Sequence, residues 1–231
     1  MQKFIKKIVS YLWPFTKEVS SKINGTLEVT WMNGKKVLDS QNANYSYGSL
    51  QKLLTYGLTK IEIPTTSEIL LLGLGGGSII HSLRNKFNHQ GKITAIEIDE
   101  VVIKIAKDEF NITHNHNLEI NCEDAFSYIG QCKKQFEIII IDIFIDNQVP
   151  KQFYQNTFWK NLIPLVKVDG YVVFNAGINV IENSAIKHLK SLVKPDIDFI
   201  QYNQVQGTNT LLIGKKYSNI LPNDTVESLS F

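Results

Sequence analysis

The sequence predicts an α/β protein: a doubly wound parallel sheet with a terminal antiparallel hairpin, preceded by a small N-terminal β-hairpin domain. Three observations carry this. From residue 68 onward, short apolar runs alternate with stretches of helical spacing, as strand–helix–strand units require. The runs are apolar throughout, as in "FEIIIID" (136–142), which suits strands covered by helices on both faces. The last pair, "IDFIQYNQV" and "TNTLLIGKK", flanks Gln206-Gly207 and reads as an antiparallel hairpin rather than another crossover unit.

In chain order, Phe4 to Leu12 is expected to form a short amphipathic helix that Pro14 ends. Gly25 to Ser40 places β-favouring residues on both sides of Asn33-Gly34, the strongest two-residue hairpin signal. Leu50, Leu53, Leu54 and Leu58 follow at helical spacing behind Ser49 as a possible cap, leading toward Pro64. "PTTS" (64–67) is the expected linker, dividing the chain into residues 1–66 and a catalytic domain of residues 67–231. Strands are then expected at Ile69–Leu72, Ile93–Ile98, Leu118–Asn121, Phe136–Ile141 and Tyr171–Asn175. Helices are expected at Ser78–Phe87, at Glu100–Glu109, and in "AFSYIG" and "NTFWKNLIPLV". The final "LPNDTVESLSF" reads as a tail.

Composition narrows the function. With 24 basic and 22 acidic residues, a net charge of +2 and no basic stripe, nucleic-acid binding is not expected. Cys122 and Cys132 have no ligand or disulfide spacing, and His114 and His116 lack a third candidate ligand, so no metal is expected. The lysine-interrupted start shows no cleavage pattern, and no segment reaches the roughly 20 apolar residues of a membrane span. A cytoplasmic protein without membrane attachment is the expectation.

Chemistry is expected beyond the carboxyl ends of the strands, where ligands bind in doubly wound sheets. The first end carries Gly73, Gly75, Gly76 and Gly77 before a helix, allowing a tight turn and close ligand approach near a helix N-terminus. The second, "ITAIEIDE", sets Glu97 22 residues after Gly75, the spacing at which an acidic side chain accepts hydrogen bonds from ribose hydroxyls. Asp99 either joins it or caps the following helix. The third, "INCEDAF", offers Asp124 either to an adenine amino group or as a helix cap. The fourth, "IIIIDIFIDNQVP", ends a very apolar strand on Asp142, a candidate base or amine anchor.

Taken in this order, the glycine turn, ribose acid, adenine acid and fourth-strand Asp resemble class I AdoMet-dependent transferases with their Rossmann-like fold, and more closely the spermidine synthase family. The matching stretches are "GLGGGS", "AIEID", "CEDAF" and "DIFID". The resemblance implies that Gly73, Gly75 and Gly77 line the methionine part of S-adenosyl-L-methionine (AdoMet) or its decarboxylated form, Glu97 holds the ribose, and Asp124 and Ala125 meet the adenine. It also implies a homodimer. Departures bear on the reaction. The family's glycine loop carries an Asp where this chain has Gly76. Its second loop carboxylate is replaced by Ile145, with Asp146 displaced by one residue, and its Tyr-His-Glu appears as Tyr47, Gly48 and Ser49. A polyamine loses several partners, each charge-assisted contact being worth roughly 1.5 to 3 kcal/mol.

The leading expectation is therefore an AdoMet-dependent methyltransferase acting on a small-molecule acceptor. Asp142 is its catalytic residue, and Tyr47, Tyr45 and Asp146 are placed near the acceptor. The alternatives are an aminopropyltransferase using decarboxylated AdoMet and a non-catalytic nucleoside-binding protein. A nicotinamide-dependent oxidoreductase fits less well, since Ser78 stands where that fingerprint has its third glycine.

Overall fold

A computed structural model describes residues 7–40, 44–145, 147–180 and 184–218. Strands β1 (Phe15–Ser21), β2 (Gly25–Met32), β3 (Lys35–Ser40) and β4 (Asn44–Ser46) form an antiparallel sheet in that order. Asn33 and Gly34 join β2 to β3 with φ of 51° and 72°, the paired left-handed conformation that Asn-Gly adopts in two-residue hairpin loops. The expected hairpin is thus the middle of a larger sheet. β1 gives no apolar alternation because its first four residues are exposed, and β4 has only three residues. Of the expected Phe4 to Leu12 helix, residues 7–9 are helical; its earlier part and the tail lie outside the described residues.

Helix α1 (Gly48–Leu58) leads to the large sheet of β5 (Ile69–Leu72), β6 (Ile93–Glu97), β7 (Leu118–Cys122), β8 (Phe136–Ile141), β9 (Val166–Ile178), β10 (Ile197–Val205) and β11 (Asn209–Lys216). Helices α2 (Ser78–Lys86), α3 (Glu100–Phe110), α4 (Ala125–Gln131), α5 (Asn156–Leu162) and α6 (Ser184–Val193) connect them. The strand order is β10-β11-β9-β8-β5-β6-β7. The chain enters at β5, works outward to β7, then returns to β8 on the other side of β5. That reversal opens a crevice beyond the carboxyl ends of β5 and β8.

Alternation within each strand explains the unbroken apolar runs. Leu70, Leu72, Ile139 and Ile141 pack with α4, α5 and α6. Ile69, Leu71, Ile138 and Ile140 face the other way, onto α1, α2, α3 and the inner face of the small sheet, where Leu27, Val29 and Leu38 are buried. Each such side chain contributes about 1.5 to 3 kcal/mol on full burial. The small sheet therefore shares a core with the large one.

The terminal hairpin holds, with one correction. β10 and β11 pair antiparallel, but α6 carries the chain from β9 to the sheet edge, so β10 also ends a crossover. β11 then inserts between β10 and β9, antiparallel to both. The "PTTS" segment is pinned at its end: His89 Nε2 lies 2.7 Å from the Ser67 carbonyl, and Arg84 bonds the carbonyls of His89, Gly91 and Asn117. No described helix is long and apolar enough to cross a membrane.

Candidate active site

A cavity of about 350 Å³ opens at the carboxyl ends of the central strands, lined in part by Gly73, Gly75, Glu97, Asp124, Ala125 and Asp142. Backbone bonds hold these ends together: Gly73 N–H donates to the Ile96 carbonyl at 2.9 Å, and Asp142 N–H to the Leu72 carbonyl at 2.8 Å. Gly73 has φ +93°, and a β-carbon there would lie 2.1 Å from the Asp142 carbonyl oxygen. Only glycine lets β5 leave the sheet this close to β8.

Gly77 has another task. It caps α2 in the left-handed conformation, φ +76°, with a β-carbon position 2.5 Å from the Ile112 side chain. It is not among the residues that line the cavity, and its left-handed turn serves this helix packing.

Glu97 closes the glycine turn from below. Its Oε2 accepts the N–H of Leu74 at 3.1 Å and Gly75 at 3.3 Å, and its Oε1 accepts the N–H of Asp99 at 3.1 Å. Each carboxylate oxygen offers two lone pairs, so Oε1 retains acceptor capacity. Burial raises its pKa above the ordinary carboxylate value against these three bonds, and the Asp99 charge adds to the rise.

Asp99 does what a cap does and more. Its Oδ1 accepts the Val101 N–H at 2.9 Å at the start of α3. Its Oδ2 accepts from Ser21 Oγ and from Asn24 Nδ2, the latter at 2.6 Å. This ties the turn between β1 and β2 to the loop after β6. Ile23 and Asn24 of that turn thereby line the cavity. Asp124 likewise serves twice: its Oδ1 accepts the Ser127 N–H at 2.8 Å, capping α4, while the residue lines the cavity beside Glu123.

Asp142 stands at the end of β8. Burial raises its pKa from 3.8 to about 6; a hydrogen bond from Asn175 opposes the rise and the Glu97 charge adds to it. Asn175 Nδ2 donates to Asp142 Oδ1 at 2.9 Å. A carboxyl poised near neutrality can hold or accept a proton at working pH.

Tyr47, expected near the acceptor, does not line the cavity that Asp142 lines. It precedes α1 with φ 69° and stacks on Phe110, ring centroids 4.7 Å apart, in a separate groove with Trp31 and His81. Burial raises its hydroxyl pKa. Ser49, expected as the helix cap, lies within α1, whose N-cap is Tyr47, and lines the cavity with Leu50. Asp146 lies outside the described residues, as does the side chain of Tyr45. The sequence reading missed Ile23, Asn24, Asn175, Thr208 and Asn209 as lining residues. Asn175 left one signal, a single amide in the apolar run "YVVFNAG". No group of three or more metal-ligating side chains occurs among the described residues.

Comparison with known proteins bears on this arrangement. A polyamine aminopropyltransferase of Vibrio vulnificus is 30% identical over 115 residues, 48% of this chain and 38% of the relative. An N-terminal histidine N-methyltransferase of Emericella nidulans is 32% identical over 114 residues, 47% of this chain and 20% of the relative. The chain thus matches less than half the length of these curated relatives. The crystal structure of human methyltransferase-like protein 13 in complex with SAH superposes with a TM-score of 0.61 at 18% identity, covering 79% of this chain and 86% of that one. The large sheet has the Rossmann-like fold of methyltransferases and spermidine synthases. Residues 51–206, which contain the glycine turn, the strand-end carboxylates Glu97, Asp124 and Asp142 and the terminal hairpin's first strand, match the spermine/spermidine synthase domain, and the chain belongs to that family.

Proposed function

We propose that this protein is an AdoMet-dependent methyltransferase acting on a small amine or hydroxyl acceptor. The observation that carries the reading is the charge of the cavity. Glu97, Glu123, Asp124 and Asp142 line it, and no Lys, Arg or His does among the described residues. Such a lining suits a cationic sulfonium nucleoside. The open turn at Gly73 and Gly75 supports the fit, since it admits a ligand to the backbone.

When bound, AdoMet supplies a methyl group on a positively charged sulfur. The chain's residues then have positional tasks. Glu97 accepts from the ribose through Oε1. Asp124 and Ala125 border the adenine, with Ile96 and Ile98 as apolar walls. Asp142 accepts the proton that the acceptor's nucleophile must lose. Aligning nucleophile and methyl carbon within about 3 to 3.5 Å and excluding water is the main catalytic requirement. Gly76 supports methyl over aminopropyl transfer, because the residue brings no carboxylate to the donor's amino-acid end.

Aminopropyl transfer from decarboxylated AdoMet is the second reading, supported by the family match and by the retained Asp142. A homodimer through the edge strand β1 belongs to the same proposal. Leu12 and Trp13, 89% and 71% exposed just before that strand, support it.

Incubating the protein with each donor and a panel of amines and hydroxyl compounds tests the choice. Release of S-adenosylhomocysteine is expected. Release of methylthioadenosine establishes the second reading, and binding without either product makes the chain a nucleoside-binding protein.

A further inference from the structure

The ends of β9 and β11 supply a chain of hydrogen bonds that terminates on Asp142. Thr208 Oγ1 donates to Asn209 Oδ1 at 3.0 Å, Asn209 Nδ2 to Asn175 Oδ1 at 3.1 Å, and Asn175 Nδ2 to Asp142 Oδ1 at 2.9 Å. All three donors point the same way. Asn175 is 0% exposed in an otherwise apolar strand, where an amide is costly unless both of its ends are bonded. Here both are, one to each neighbour.

The network also fixes the amide orientations. A reversed Asn175 sets its oxygen against the carboxylate and its amino group against that of Asn209. Asn209 is placed in turn by its surroundings. Asn179 N–H donates to the Thr208 carbonyl at 2.8 Å, and Asn209 pairs with Ile178 at an irregularity in the β9–β11 register. Asp142 Oδ2 takes no hydrogen bond from the described residues, yet no buried side-chain nitrogen or oxygen among them lacks a partner. Oδ2 therefore opens on the cavity that Asp142 lines.

We infer that Asn175 and Asn209 are positioning residues, forming a one-way relay that holds Oδ1 of Asp142, turns Oδ2 toward the acceptor, and sustains the ionised carboxylate. The inference rests on the reading of Asp142 as the proton acceptor. The charged groups around it all oppose ionisation: Glu97 at the end of β6 acts directly, and Glu123 and Asp124 from the loop after β7 line the same cavity. The amides provide the opposing stabilisation. Aligned amide dipoles polarise one another, so loss of the outer amide weakens the inner bond.

The test needs no substrate. In the full chain labelled with ¹³C at the aspartate carboxyl carbons, the Asp142 resonance is identified by its loss in Asp142→Asn and followed against pH. In Asn175→Ala the midpoint is expected to rise by about one pH unit. In Asn209→Val it is expected to rise by about half as much, through Asn175 alone. An Asn209→Val midpoint that stays at the parent value or falls overturns the relay. Because Asn209 is half-buried at the start of a strand, this variant decides the matter even if Asn175→Ala does not fold. Nucleoside binding and turnover of the parent protein are measured separately, by calorimetry and product release. A failure of the methyltransferase reading thus registers as absent binding or turnover, whereas a failure of the relay registers in the titration.

Discussion

Asp142 stores a cost that the fold sustains for the sake of its site. An acid whose folded pKa lies above its unfolded value binds more protons when folded, so its contribution worsens as pH rises from about 4 through about 6. Asp142→Asn keeps an oxygen to accept from Asn175 and removes the charge. The variant is expected to be more stable at pH 7.5 by on the order of 2 kcal/mol. The advantage should disappear below pH 4, where both states of the parent are protonated, and the proposed methyl transfer should be lost. Thermal melts of both proteins across that pH range check this; equal melting temperatures at pH 7.5 contradict it. The place of Asp142 and Glu97 at strand ends beside the cavity was legible in the sequence because a carboxylate ending an apolar run has few structural reasons to be there. Asn175 and Asn209 were not, because their meaning depends on which strand lies beside which. Gly77 was ambiguous for a related reason: a packing glycine and a ligand glycine look alike in sequence, and the structure adds a packing partner, Ile112.

At the level of elements, the loop after β6 and the turn between β1 and β2 act as one unit through Asp99. Asp99→Ala removes a helix cap worth about 1 kcal/mol and charge-assisted bonds worth about 1.5 to 3 kcal/mol. It also releases Ile23 and Asn24 from the cavity wall. A loss of about 3 kcal/mol in chemical denaturation, together with weaker nucleoside binding, is expected; a loss below about 0.5 kcal/mol contradicts the tie between the two elements. Apolar content governed what could be read at this scale. β5 and β8 match the expected residues at both ends because both faces of each are buried. β1 was missed because it is exposed and charged. α6 was missed although Ile186, Leu189 and Val193 lie at helical spacing and are buried. Without it the terminal hairpin looked like an appendage, when β10 is reached by a crossover like the strands before it.

Across the whole molecule, a chain of net charge +2 gathers four carboxylates, and no basic side chain among the described residues, around the crevice at the carboxyl ends of its central strands. The arrangement follows from topology: β5, β6, β7 and β8 are parallel, so all four motifs emerge at one edge of the sheet. That convergence was predictable from strand order, which the alternating pattern implied. The contribution of the small sheet to the wall was not predictable, since it depends on Asp99 reaching Ser21 and Asn24 some 75 residues away in sequence. Isothermal titration of the parent and Glu97→Ala with S-adenosylhomocysteine asks whether this acidic crevice holds a nucleoside by its ribose. Saturable binding to the parent and a loss of at least tenfold in affinity for the variant, about 1.4 kcal/mol or more, are expected. Equal affinities, or no binding to the parent, would contradict this.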